Sequence, residues 1–280
     1  VARKVGYQSN TYFTTAFKKY TGFTPTELNE NLFDFQRDIV RWALRKGKAA
    51  LFEDTGLGKT IQQLSWAEAV ANHEKGSVLI LAPLAVGKQT ALEAEKFGIK
   101  ANLCESAEDV KPGINITNYE KLHRFNTEVF CGIVLDESSI LKSFTSSTRN
   151  ELIDDFQRVP YKLACTATPS PNDHSELGNH AEFLGIMSRT EMLSTYFIHD
   201  GGNTSSWRLK GYGESKFWEW VATWAVCVRN PADLGYTSEG YELPPLNLIE
   251  HITESKPKEY ELFAKRAETL SERREARKES

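Results

Sequence analysis

The sequence is poor in cysteine, and its few cysteines lack metal-binding or redox spacing. Cys104, Cys131, Cys165 and Cys227 stand apart, with no CxxC pair, each in or near an apolar stretch. That excludes a disulfide framework or zinc ribbon and predicts buried thiols in a reducing compartment. The six histidines form no HExxH and no Cys/His cluster. His174 and His180 could share one side of a helix, but two histidines alone make a poor metal site. Long apolar runs are missing too. The strongest, Val78 to Val86, is broken by Pro83 and is far too short to cross a bilayer, so no membrane is expected. There is no charged-then-apolar leader, no internal repeat and no low-complexity segment. The chain opens on Val1, which suggests a fragment or a processed product. Nor does one sign of charge dominate. A net charge of −4 argues against nonspecific nucleic-acid binding through bulk charge.

What remains is ordinary in bulk and uneven in detail. With 280 residues, 40% hydrophobic and 26% charged, the chain can bury one large core or two smaller ones. Residues 1–50 carry nine Lys/Arg against four Asp/Glu, so any attraction to a polyanion is local. Three zones differ in texture. Residues 1–30 are basic and aromatic and read as helix-turn-helix. Residues 31–245 alternate apolar strand-like runs with amphipathic helical stretches, as a parallel sheet flanked by helices requires. The strands expected are Ala49–Phe52, Ser77–Ala82, Ile114–Thr117, Gly132–Leu135 and Leu163–Thr166, each apolar enough to be buried on both faces. Residues 246–280 are mixed in charge and read as a connector ending in an exposed helix.

The chemistry concentrates in Glu53-Asp-Thr-Gly-Leu-Gly-Lys-Thr60, a turn between a strand and a helix expected over about 60–72. Gly56 and Gly58 let backbone N–H groups turn inward around phosphate oxygens without a Cβ in the way. The next helix points its positive N-terminus at the same anion. Thr55 completes the loop, Lys59 supplies a mobile cation, and the Thr60 hydroxyl is placed to ligate Mg²⁺. Glu53 stands where the strict pattern has glycine, so the signal rests on the TGxGKT core. Such a site needs an acidic strand end as its second half. Ile133-Val-Leu-Asp-Glu137, lying 76 residues after Thr60, supplies one. Asp136 is expected to hold Mg²⁺, and Glu137 to orient or deprotonate the attacking water. Together these predict a site for a nucleoside triphosphate and Mg²⁺; the family resemblance below narrows the nucleotide to ATP.

The order FDFQRDIVRWAL, EDTGLGKT, LILAPLAV, INITNYEKL, VLDESS, ACTATPSPND resembles the first-lobe motif series of superfamily-2 helicases. The resemblance implies a RecA-like α/β fold and an ATP-driven motor on DNA. It implies that Phe33 and Gln36 read adenine, with Gln36 offering a carboxamide to the base edge. Thr166 and Thr168 would link ATP state to nucleic-acid grip. Pro83, Thr117 and Tyr119 would fall in loops that touch the nucleic-acid backbone. DESS in place of DEAD or DEAH, Asn172 after TATPSP, and the Leu243-Pro-Pro-Leu stretch with Lys256–Leu262 are similar to the Swi/Snf-like branch and its phage relatives. A cytoplasmic setting, in a bacterial or phage-infected cell, follows from that resemblance. Clustered Trp207, Trp218, Trp220 and Trp224 suggest either packing or a base-stacking platform; FWEWVATWAVCV reads as a helix apolar nearly all round, which favours packing. A complete motor of this family needs a second lobe with arginine fingers, and no QxxGRxxR-like helix occurs before Ser280. Hydrolysis by this chain alone is therefore expected to be weak, by ~10³-fold or more.

Residues 1–27 resemble the second helix-turn-helix of AraC/XylS-type regulators. Gly6 closes one helix, Ser9 caps the next, and Phe13 and Phe17 form an apolar face. Lys18 and Lys19 are placed to meet phosphates. Three readings stand for this segment: a functional DNA reader, a helical cap on the motor, or the product of a fusion or assembly artefact. The rival to the motor is accordingly a sequence-specific regulator with a non-catalytic phosphate loop. A signalling-type NTPase fits less well, because it explains neither TATP nor Gln36.

Overall fold

The computed structural model describes residues 28–142, 147–200 and 203–241. The expected helix-turn-helix with Lys18 and Lys19, and the connector over 246–280, lie outside those residues. The elements begin with helix α1 (Asp34–Lys46), strand β1 (Lys48–Glu53) and helix α2 (Lys59–Glu74). Next come β2 (Ser77–Ala82), α3 (Gly87–Lys96), β3 (Ala101–Leu103), β4 (Gly113–Asn118) and β5 (Phe130–Asp136). The rest are α4 (Ser147–Asp155), β6 (Tyr161–Thr166), α5 (Leu177–Leu184), α6 (Arg189–Tyr196), a hairpin of β7 (Phe197–Asp200) and β8 (Asn203–Leu209), α7 (Glu214–Ala222) and β9 (Ala225–Val228).

Seven strands make one sheet in the order β3-β4-β2-β5-β6-β1-β9. Every pairing in it is parallel. The chain therefore has the α/β architecture read from its alternation, and all five expected strands are present. The sequence explains why both faces are covered. Successive side chains on a strand point to opposite faces. Ala49, Leu51, Val78, Ile80, Val134 and Leu163 enter one core with α1 and α2, whereas Ala50, Phe52, Leu79, Leu81, Ile133, Leu135 and Ala164 enter the other. That second core is closed by Leu152, Phe156, Phe183, Phe217 and Trp224.

The helices follow from the same logic. In α1 the buried positions are Phe35, Gln36, Ile39, Val40, Ala43 and Leu44, one stripe at helical spacing, and Gly47 at φ +70° ends it. Helix α2 is buried nearly all round from Ile61 to Ala67, because the sheet lies on one side and α1 on the other. One expectation fails here. FWEWVATWAVCV is not one helix: α7 stops at Ala222, and Ala225–Val228 pairs with β1 as the sheet's edge strand. The register Ala50↔Ala225 to Glu53↔Val228 sets this strand directly beside the approach to the phosphate loop.

The thiol expectation holds only in part. All four cysteines are free, and Cys104 and Cys165 are buried, but Cys131 is half-buried and Cys227 is exposed on the edge strand. Among the described residues no helix is long and apolar enough to cross a membrane.

Candidate nucleotide site

Because the sheet is parallel, the loops after β1, β2, β4, β5 and β6 all leave from one edge, where open α/β folds bind ligands. Strand β6 lies between β1 and β5, with Phe52↔Thr166 and Asp136↔Cys165 in register. The phosphate loop, the Thr166 strand end and the acidic strand end are consequently neighbours on that edge.

The loop itself is built by two left-handed glycines, Gly56 at φ +85° and Gly58 at φ +74°. A side chain at Gly56 would meet no atom within 4 Å, so its requirement is conformational alone. At Gly58 there is a second reason: a Cβ would sit 2.4 Å from Gln36 Nε2. The Gln36 carboxamide is buried and accounts for this loop's shape. Its Nε2 donates to Leu57 O at 2.8 Å, and its Oε1 accepts from the Phe33 N–H at 2.9 Å. Phe33 remains 61% exposed, stacked on Phe35 and edged by Tyr241. An open aromatic beside an amide with one N–H still to give is what an adenine face and edge would require.

Lys59 folds back over the loop. Its Nζ donates to Glu53 O at 2.9 Å and to Asp54 O at 3.1 Å, and the Asp54 side chain accepts from the Thr55 N–H at 2.7 Å. Thr55 is exposed at the mouth, and Thr60 sits half-buried in the first turn of α2. In the sequence Glu53 stands out only as a missing glycine. In the fold it is wholly buried under the loop and accepts from Gln62 Nε2 at 2.7 Å. Burial pushes its carboxyl up to about 7, against the opposing pull of Gln62 and Lys59.

The acidic end closes the arrangement. Gln63, one turn beyond Thr60 on α2, donates to Asp136 Oδ1 at 2.8 Å. That bond brings the head of the phosphate-loop helix onto the end of β5. Burial raises the Asp136 carboxyl, with Gln63 pulling it the other way. Glu137 holds φ +54°, a left-handed conformation costing a non-glycine residue roughly 1–2 kcal/mol. Its Oε2 accepts from the Thr166 hydroxyl at 3.3 Å, and Thr166 Oγ1 in turn accepts from the Thr168 N–H at 3.1 Å. Thr166 is thus one hydrogen bond from the acidic pair, and Thr168 one further.

Among the described residues no three His, Cys, Asp or Glu cluster as a protein-only metal cage. The donor set instead fits a hard cation shared with phosphate, with one hydroxyl from Thr60 and one carboxylate from Asp136. His174 and His180 go to different partners, His174 edge-on to Trp218 and His180 to Ser138, so they share no metal site.

Two sequence assignments need correction. Thr117 is buried and its hydroxyl donates to Cys104 O at 2.9 Å; Tyr119 is buried and its hydroxyl donates to Asp136 O at 2.7 Å. Both side chains turn inward, so neither offers its hydroxyl to a nucleic acid. In the turn Tyr119–Arg124 the exposed residues are Glu120, His123 and Arg124, while Lys121 pairs with Glu105. Pro83 is half-exposed after β2, followed by Leu84 standing open to solvent. The tryptophans divide as well. Trp224 is buried, Trp207 and Trp220 are half-buried against the second core, and Trp218 is exposed.

A phosphate loop, a buried glutamine beneath it and an acidic strand end two strands away define the first lobe of a helicase-type ATPase fold. A family model described as the SNF2-related domain matches residues 35–196, and the chain belongs to that family. A second model, bacterial regulatory helix-turn-helix proteins of the AraC family, matches residues 1–28 only. Among curated relatives, the chain is 29% identical over 180 residues to the DNA annealing helicase and endonuclease ZRANB3 of Mus musculus, covering 58% of this chain and 17% of that one. The Bos taurus protein of the same name is 26% identical over 222 residues, covering 71% and 20%. A Xenopus tropicalis SWI/SNF-related regulator of chromatin, subfamily A-like protein 1, is 28% identical over 164 residues, covering 54% and 17%. The matched segment thus spans 17–20% of these relatives' lengths. In fold, the chain resembles the Sulfolobus solfataricus SWI2/SNF2 ATPase core solved in complex with double-stranded DNA. The TM-score is 0.59 at 22% identity, over 74% of this chain and 46% of that one.

Proposed function

We propose that this chain is the ATP-binding first lobe of a DNA-stimulated translocase or helicase. The Gln63–Asp136 hydrogen bond carries the reading, because it sets Lys59 and Thr60 on the same sheet edge as Asp136 and Glu137. The role of each residue follows from its chemistry. The N–H groups of the Gly56–Gly58 turn and the N-terminus of α2 cradle the β- and γ-phosphates. Lys59 Nζ leaves its two backbone carbonyls for the γ-phosphate. Phe33 stacks on adenine, and Gln36 keeps the loop and the base edge in register.

Thr60 and Asp136 would hold Mg²⁺, which neutralises charge building on the phosphates. Glu137 would accept a proton from the attacking water as its oxygen bonds the γ-phosphorus and the bond to ADP, the leaving group, breaks. Thr166, bonded to Glu137 Oε2, is placed to sense that change and pass it to Thr168 beyond the end of β6. DNA as the track is supported by the relatives' names and by the neighbour solved on double-stranded DNA. Its backbone would meet the loop at Pro83–Leu84 and the exposed His123 and Arg124. A second lobe bringing arginines would complete the transition-state charge.

The test is hydrolysis with and without duplex DNA, alone and with an arginine-finger lobe from a relative added. The reading expects slow turnover alone and a rise of ~10³-fold or more in the completed, DNA-bound assembly. Turnover unmoved by both DNA and the second lobe would contradict it.

A further inference from the structure

In the reaction proposed above Glu137 activates the water, and its backbone is held in a left-handed conformation no glycine relieves. Something outside the nucleotide site must hold it there. Two buried side chains that the proposed reaction does not use converge on its flanks. On one side, Tyr119 reaches across from the end of β4 and donates to the carbonyl of Asp136 at 2.7 Å. That carbonyl lies where the β2–β5 pairing has already ended at Leu135.

On the other side, His180 of α5 is wholly buried, with Nε2 at 3.1 Å from Ser138 Oγ. Ser138, also fully buried, directly follows Glu137. Burial drops the imidazole to about 4, so it serves as a neutral hydrogen-bonding group. Its ring also stands edge-on to Phe52, 5.2 Å between centroids, one residue before Glu53 at the root of the phosphate loop. Both side chains sit in the second core or against it, where leucine or phenylalanine would fill the space without a polar atom.

We propose that Tyr119 and His180 are positioning residues that clamp the Asp136–Glu137 turn from its two ends and hold both carboxylates in register with the phosphate loop. The inference rests on the nucleotide-site reading above and names residues outside it. A purely structural role would lower the melting temperature and weaken all nucleotide binding alike. A positioning role acts on the metal-dependent part alone.

The experiment titrates a fluorescent ATP analogue into the 280-residue chain, in EDTA and in Mg²⁺. The proteins compared are wild type, Tyr119→Phe, His180→Leu, His180→Gln and Lys59→Ala, with thermal melts alongside. In EDTA, Tyr119→Phe and His180→Leu should bind within about twofold of wild type, while the affinity gained on adding Mg²⁺ falls by about tenfold, the size typical of a lost outer-shell partner. His180→Gln, which keeps a polar atom toward Ser138, should recover much of that gain. If His180→Leu fails to fold, Tyr119→Phe and His180→Gln decide the matter. A full Mg²⁺-dependent gain in Tyr119→Phe would overturn the clamp. Failure of wild type to bind at all, or equal binding by Lys59→Ala, would instead remove the nucleotide-site reading beneath it.

Discussion

At position 53 a carboxylate stands where the phosphate-loop pattern has glycine, and its surroundings determine how it behaves with pH. The group is fully buried, one oxygen accepts from Gln62, and burial pushes it up to about 7. In the unfolded chain it titrates in the ordinary carboxylate range, so between there and about pH 7 the folded state holds the extra proton. Stability on this account falls as pH rises through that window, and is lower above it. Glu53→Gln should melt like wild type near pH ~4.5 and be more stable at pH ~8, by on the order of 2–3 kcal/mol. Melts of both proteins across that range check the sign; a wild-type advantage at the alkaline end would refute it. Gly58 is constrained twice, by φ +74° and by Gln36 Nε2, which lies 2.4 Å from where a Cβ would stand. Gly58→Ala should therefore cost about 2 kcal/mol or more and weaken ATP binding, whereas Gly56→Ala, strained but unobstructed, should cost only the roughly 1–2 kcal/mol of its left-handed backbone. Denaturant titrations of the two variants separate these outcomes.

At the scale of the element, what is legible in the sequence follows the physics of each segment. Strands β1, β2, β4, β5 and β6 are buried on both faces, and their apolar runs stand out against polar loops. Strand β3 has three residues, only partly buried, and so carries no such pattern. Strand β9 is hidden for the opposite reason: AVCV continues the apolar texture of α7, and only the turn at Thr223–Trp224 divides them. The loop glycines, Lys59 and the acidic pair are legible because the proposed phosphate chemistry would fix residue type at each position. For Thr117 and Tyr119 the side chains turn inward where the motif led us to expect them facing out, since a motif carries position along the chain and not side-chain orientation. The clamp on Glu137 is beyond the reach of sequence, because Tyr119, Ser138 and His180 meet only through the fold. Trp224 anchors strand β9. It is buried, edge-on to Phe52 at 6.0 Å and to Trp220 at 5.4 Å. Trp224→Ala should cost about 3–5 kcal/mol and lower the melting temperature by roughly 10 °C. A loss under about 1 kcal/mol would mean that β9 is not held as described.

For the whole molecule, membership in the SNF2-related family and the seven-stranded parallel sheet among the described residues agree on one ATPase-type lobe, the basis of the motor proposed above. With a net charge of −4, the proposed grip on DNA has to come from local loops and not from bulk attraction. His123→Ala combined with Arg124→Ala should weaken duplex binding without altering ATP affinity, read by anisotropy at two salt concentrations; a parallel loss of both would show that these residues serve the fold. Every functional claim, however, passes through the loop at 53–60. Calorimetric titration of Mg·ATP into the chain, beside Lys59→Ala, is the most direct measurement of it. Saturable one-to-one binding by wild type, lost in a Lys59→Ala variant that melts normally, is the predicted result. Absence of heat from wild type, or an unchanged isotherm in Lys59→Ala, would contradict the account.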